Sequence, residues 1–200
     1  MDTQISNVIF NSIFFDKKNE DLLKWLLETC LNKKIDEITI IKEKIKLKQE
    51  TTIKYLKVIY DDTIHYVDIH HGETRDSERD LALTRLALIY YQNKDEENEK
   101  FPHTPIYLHI NLLINDDSIP KEDLYTFKNE ENKPFKDNFI FYEVNLDKVK
   151  EEYNKTKKEI LKPLVMLVLK DNELKELSES DERIKKYLIS KEEIENKNYI

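Results

Sequence analysis

KYLKVIYDDTIHYVDIHHG, Lys54 to Gly72, holds two runs rich in Ile, Val and Tyr on either side of Asp61-Asp62-Thr63. Alternating β-branched and aromatic residues that flank a turn-forming cluster predict a two-stranded hairpin. With Asp62-Thr63 at the centre of the turn, Leu56 falls opposite Ile69 and Val58 opposite Val67, which sets aliphatics against aliphatics on one face. The other face then sets Tyr55 against His70, Lys57 against Asp68 and Ile59 against Tyr66.

The chain on either side supplies the layers such a hairpin needs. Val8, Ile9, Ile13 and Phe14, then Leu22, Leu23, Leu26, Leu27 and Leu31, recur near helical spacing and predict two short opening helices, Asn7 to Phe15 and Glu20 to Leu31. From Ile38 to Lys48 the period changes to two, with Ile41, Ile45 and Leu47 alternating with Lys42, Lys44, Lys46 and Lys48, as in a half-buried strand. After Gly72, Asp76 or Ser77 can cap a helix through Asn93, whose stripe is Leu81, Ala82, Leu86, Ile89 and Tyr90. An acidic loop, Lys94 to Lys100, follows.

IYLHINLLI, Ile106 to Ile114, is apolar enough for a central strand buried on both faces, and FIFYEVN, Phe139 to Asn145, is a further strand. Between them Asn115 to Asp137, with Pro120 and Pro134, reads as a polar loop. Leu146 to Ile160 and Pro163 to Lys170 are expected to be helical, and the charged tail from Asp171 to Ile200 partly so with a frayed end. The order is α-β-β-β-α-β with an added strand and C-terminal helices, an α/β fold with a mixed sheet flanked by helices. Residues 1–170 form the expected domain, and 171–200 a charged helical extension.

Composition narrows the function. Lys and Arg number 33 against 41 Asp and Glu, a net charge of −8, so any grip on nucleic acid has to be local. One glycine excludes P-loop and dinucleotide-binding loops. A lone Cys30, inside LLKWLLETCL with Trp25, is expected to pack in a helix, outside disulfide or zinc chemistry. No apolar run approaches the roughly 18 residues that cross a bilayer, and the Met-Asp-Thr-Gln start lacks a signal sequence, so a soluble cytoplasmic protein without a membrane partner is expected.

In order along the chain, NVIFNSIFFDKKNEDLLKWLLETCL, the hairpin, Arg79 with the LALIYY run, PIYLHINLLI, FYEVNL and the late Pro163-Leu164-x-x-Leu167-x-Leu169 resemble the Rpn family of recombination-promoting nucleases. These proteins, also called PD-(D/E)XK transposases, have a restriction-endonuclease-like fold, and the likeness covers Asn7 to Leu169. It implies a Mg²⁺- or Mn²⁺-dependent DNA endonuclease whose two carboxylates hold the metal, with a lysine or glutamine two residues beyond the second acid orienting water. Val67-Asp68-Ile69-His70 matches the second half, Asp68 for the acid and metal ligand and His70 for the lysine. Lys57 stands where the first aspartate belongs, and Asn7, Asn11 and Ser12 replace the charged residues of the opening helix.

An ammonium opposite Asp68 would repel a divalent cation and take its remaining ligand, with unit charges about 4 Å apart interacting by roughly 4 kcal/mol at an effective dielectric near 20. Asp61 and Asp62 lie at the far turn. Glu73 and Glu50 are nearer, so a migrated carboxylate such as Glu73, with Lys57 as the catalytic lysine, is the active alternative. His65 and His71 point away from Asp68 and His70, so a zinc site would have to recruit distant His103 or His109. Lys42, Lys44 and Lys46 either follow a phosphate backbone or keep an edge strand from pairing with other chains. Arg79 either contacts phosphate or pairs with Glu73 or Asp76.

Three functions follow as expectations. The first is a nuclease-like protein of degenerate metal site that binds DNA, other nucleic acid or a protein partner in mobile-element or defence biology, without a cofactor. The second is an active endonuclease using Mg²⁺ or Mn²⁺. The third is an assembly module working through its C-terminal helices.

Overall fold

A computed structural model describes residues 3–46, 50–72, 76–93, 103–115, 120–128 and 134–198. The chain opens with α1 (Thr3–Phe14) and α2 (Glu20–Leu31), then forms β1 (Glu37–Lys46), β2 (Glu50–Tyr60) and β3 (Thr63–Gly72). α3 (Asp76–Asn93) leads to β4 (Ile106–Leu113), β5 (Glu122–Lys128) and β6 (Pro134–Asn145). α4 (Leu146–Thr156), α5 (Lys162–Val165), α6 (Asp171–Ser178) and α7 (Glu182–Asn198) complete the fold. Among these residues no helix is long and apolar enough to cross a membrane.

The six strands form one mixed sheet in the order β1-β2-β3-β4-β6-β5. β1, β2 and β3 are successively antiparallel, β3 pairs parallel with β4 and β4 with β6, and β5 runs antiparallel to β6. Antiparallel neighbours need only short turns, whereas the parallel β3–β4 pair needs a long crossover, and α3 lies on it. β4 is one of the two central strands, buried from Tyr107 to Leu113, which accounts for its nearly continuous apolar run.

The period-two pattern of the strands divides two cores. Leu56, Val58, Val67, Ile69, Leu108, Ile110, Leu112 and Val144 meet the apolar stripes of α1 and α2 on one face. Leu174 of α6 and Ile184, Tyr187 and Leu188 of α7 are buried in that same core, so the charged C-terminal stretch contributes to it directly. On the other face Ile53, Tyr55, Ile59, Ile64, Tyr66 and Tyr107 receive Leu86 and Ile89 of α3. A row of rings crosses the strands there, Tyr66 to Tyr107 at 5.4 Å and Tyr107 to Phe139 at 5.2 Å. Cys30 is buried and free, its thiol pushed up to about 12 chiefly by burial.

The hairpin forms, but two residues out of the expected register. Leu56 pairs with Val67, Lys57 with Tyr66, Val58 with His65 and Ile59 with Ile64, so the pairings of Lys57 with Asp68, Leu56 with Ile69, Val58 with Val67, Tyr55 with His70 and Ile59 with Tyr66 are corrected. The turn is Asp61-Asp62, with φ of 50° and 54°. A two-residue turn that follows the strand twist needs positive φ at both positions, which Asp tolerates and β-branched Thr63 does not. A shift of two keeps each side chain on its face, so the core pattern survives while the partners change.

Three other expectations change. β5 lies inside the stretch read as a polar loop, because Leu124 and Tyr125 at an outer edge leave its alternation weak. Leu81 is 52% exposed and stands apart from the stripe of α3, whose Ala82, Leu86 and Ile89 are buried. The helix from Leu146 stops at Thr156, where Lys157 takes φ of 51°, and the next, α5, is four residues long. The loop 94–100 and the strand end at Leu47 and Lys48 lie outside the described residues.

Ile184→Ala removes a fully buried side chain and is expected to lower unfolding free energy by about 3 kcal/mol in urea titrations. Asp62→Gly relieves a left-handed position and is expected to raise it by about 0.5–1 kcal/mol.

Candidate functional site

The β2–β3 ladder runs only from Leu56–Val67 to Tyr60–Thr63. Towards its other end β2 stays with β1 as far as Glu50, and β3 stays with β4 as far as Gly72. The sheet therefore parts, and a cavity of about 510 Å³ opens at the divergence. Lys42, Thr52 and Lys54 form one wall, His70 and His109 another, with Asn7 and Asn11 of α1 and Arg85 of α3 at the sides.

Each side chain is placed by the register of its element. Parallel pairing of β3 with β4 sets Asp68 beside His109 and His70 beside Asn111, and directly paired residues share a face. Leu86 and Ile89 dock α3 on that face, which brings Arg85 over Asp68. On α1, Asn11 Nδ2 donates to both the carbonyl and the Oδ1 of Asn7, each at 2.9 Å, so one amide locks the other at the cavity edge.

Asp68 is 1% exposed and fully engaged. Arg85 Nε donates to its Oδ2 at 2.8 Å, Arg85 Nη2 donates to its Oδ1, and His109 Nδ1 lies 2.9 Å from Oδ2. Arg85 Nη2 also reaches the Lys54 carbonyl at 3.3 Å, bridging the parted strands. Burial alone would push the Asp68 carboxyl up, but the bonds from His109 and Arg85 and the guanidinium charge outweigh it and hold the group far below the usual carboxylate range. An ionised carboxylate only accepts, so His109 Nδ1 carries the proton in this pair. His70 Nδ1 lies 3.1 Å from Asn111 Oδ1.

Asp68 is thus neutralised from behind, by Arg85 and His109, where an ion pair with Lys57 was expected. Lys57 instead sits with its Nζ 5.9 Å from the Tyr66 ring centroid. A divalent cation does not fit this donor set. Both oxygens of Asp68 are taken, β2 supplies no carboxylate between Thr51 and Tyr60, and among the described residues no three His, Cys, Asp or Glu side chains are grouped to hold a metal. His65 is buried against Tyr60, ring centroids 3.7 Å apart, and His71 against Phe10 at 5.4 Å, both away from Asp68.

Of the other expected site residues, Lys42 lines the cavity and Lys44 is exposed further along β1, which is an edge strand. Lys46 pairs with Glu50 through the backbone, and Arg79 belongs to α3; their side chains lie outside the described residues, as does the whole of Glu73. Arg85, Lys54 and Thr52 were not singled out from the sequence, and His109 was named only as a remote zinc ligand. The signal for Arg85 was its place in TRLALIYY, one helical position before the docking Leu86.

A carboxylate whose folded value is depressed stabilises the fold fully above its ordinary value of 3.8 and loses that contribution as pH falls further. Asp68→Asn is accordingly expected to cost about 2 kcal/mol at neutral pH, below the figure for a wholly buried pair because Arg85 is 33% exposed. Urea titrations from pH 7 to pH 2 should show the variant losing less stability with acid than the native chain. No protein-family model, no curated protein and no solved structure matches this chain.

Proposed function

We propose that this chain is a restriction-endonuclease-like protein of the Rpn type whose metal site is degenerate, and that it binds nucleic acid through the cleft between β2 and β3 in mobile-element or defence biology. The observation that carries the reading is the inversion of charge at the position of the family's catalytic carboxylates. Asp68, the one acid among the described residues there, is held by Arg85 and His109, and the cavity in front of it is walled by Lys42, Lys54 and Arg85. The α-β-β-β-α-β order, with the third strand parallel to the fourth, supports the fold assignment.

Lys42, Lys54 and Arg85, with no carboxylate among the described residues that line the cavity, form an anion site on a chain of net charge −8. The phosphodiester backbone is the polyanion such a site suits, because each neutralised phosphate releases counterions. The amides of Asn7 and Asn11 and the hydroxyl of Thr52 add neutral donors of the kind that position a backbone without reading sequence.

Fluorescence anisotropy with a labelled single-stranded DNA is expected to show binding that weakens with salt at a log–log slope of about −2, for three phosphate contacts. Lys54→Ala should make that slope shallower by about 0.7, the share of one contact on a single strand. An unchanged slope would place binding elsewhere. Incubation with Mg²⁺ or Mn²⁺ is expected to leave duplex DNA intact, and metal-dependent cutting that Asp68→Ala abolishes would overturn the degenerate reading in favour of a migrated acid such as Glu73.

A further inference from the structure

We propose that the chain forms a homodimer by antiparallel pairing of β5 with the β5 of a second copy, which joins two six-stranded sheets into one. The inference stands apart from the reading of the cleft. The cleft lies between β2 and β3, beyond β4 and β6 from this edge, and stays open in both copies.

β1 and β5 are the two edges of the sheet, and they differ in kind. An edge strand offers a row of backbone donors and acceptors, and charged side chains, lysine above all, keep another strand from using them. β1 carries Lys42, Lys44 and Lys46 at every second residue, so antiparallel pairing of two β1 strands would crowd lysine against lysine. β5 places Leu124, Tyr125 and Thr126 at the centre of its edge, all three exposed.

The ladder with β6 fixes which peptide groups face outward. The Asn145 N–H donates to the Lys121 carbonyl at 2.9 Å, one step beyond the pair of Glu122 with Val144. Hydrogen-bonded and open pairs alternate along antiparallel strands, so Asp123 and Tyr125 turn their peptide groups to β6 while Glu122, Leu124 and Thr126 turn theirs away. The outward N–H of Leu124 donates to the neighbouring Asp123 Oδ1 at 2.9 Å, an exposed bond that the carbonyl of an added strand can replace.

The strand is complementary to itself. Glu122-Asp123-Leu124-Tyr125-Thr126-Phe127-Lys128 begins acidic and ends basic. Lys121, 3.3 Å from Glu122, is shared with Glu152 at 2.9 Å, so the acidic end keeps its sign. A two-fold axis at Tyr125 sets Leu124 against Thr126 of the copy and Glu122 against position 128, a lysine, at both ends of the ladder. All of these are residues whose peptide groups alternate outward, and each such pair exchanges both of its backbone bonds. Apolar surface is covered as well. Leu124, 59% exposed, and Ile160, 56% exposed, form the lip of a cavity of about 540 Å³ floored by Leu108, Ile140 and Leu164. An axis normal to the sheet continues each face into the same face of the copy, and there the two Leu124 are diagonal neighbours about 7–8 Å apart.

Sedimentation of the full chain over a dilution series is expected to show a species of two chains, each of 24.1 kDa, that dissociates on dilution. Thr126→Pro removes an N–H that β6 does not use, and is expected to give single chains with an unchanged thermal melt. Glu122→Lys and Lys128→Glu each set like charges across the axis and should weaken the dimer by about 10-fold or more. Mixed in equal amounts, these two variants carry opposite charges at every facing position and are expected to pair with each other at native strength. Their behaviour tests the proposal even if the proline variant fails to fold. Single chains throughout the series overturn it, as does a dimer of native strength in both charge reversals, which would place the interface elsewhere. A mixture that pairs no better than either variant alone also overturns it.

Discussion

Asp68 is the constraint around which the middle of this molecule is arranged. An ionised carboxylate that is 1% exposed is tolerated only if its oxygens are paired, and the partners come from two other elements, Arg85 on α3 and His109 on β4. Arg85 also holds the Lys54 carbonyl on β2, so one guanidinium ties together the strands that part at the cleft. The tautomer of His109 follows from that buried negative charge, and Arg85 links α3 to it across the opening in the sheet.

The same network sets the charge balance of the cleft. Neutralising Asp68 from within leaves its cationic neighbours to set the sign of the cavity, so a chain acidic overall presents a basic recess.

Much of the fold was legible along the chain, because each element had to bury a stripe of its own. The leucines of α2, the alternation in β2 and β3 and the nearly continuous apolar run of β4 each point to one element type. β5 was missed because an edge strand with Leu124 and Tyr125 turned outward carries little of that signal. The turn was misplaced by one residue, since Asp61, Asp62 and Thr63 all favour turns by composition. Only the demand for positive φ at two consecutive positions separates them.

The sequence alone determined the α/β class, the face on which each strand residue lies and the presence of Asp68 and His70 as polar residues within an apolar run. All of these depend on local periodicity, which a two-residue slip leaves intact. Tertiary structure alone decided that Asp68 belongs to Arg85 and His109 and not to Lys57. That choice depends on the hairpin register, the parallel pairing across a long crossover and the rotation of α3. Each is fixed by contacts between residues remote along the chain.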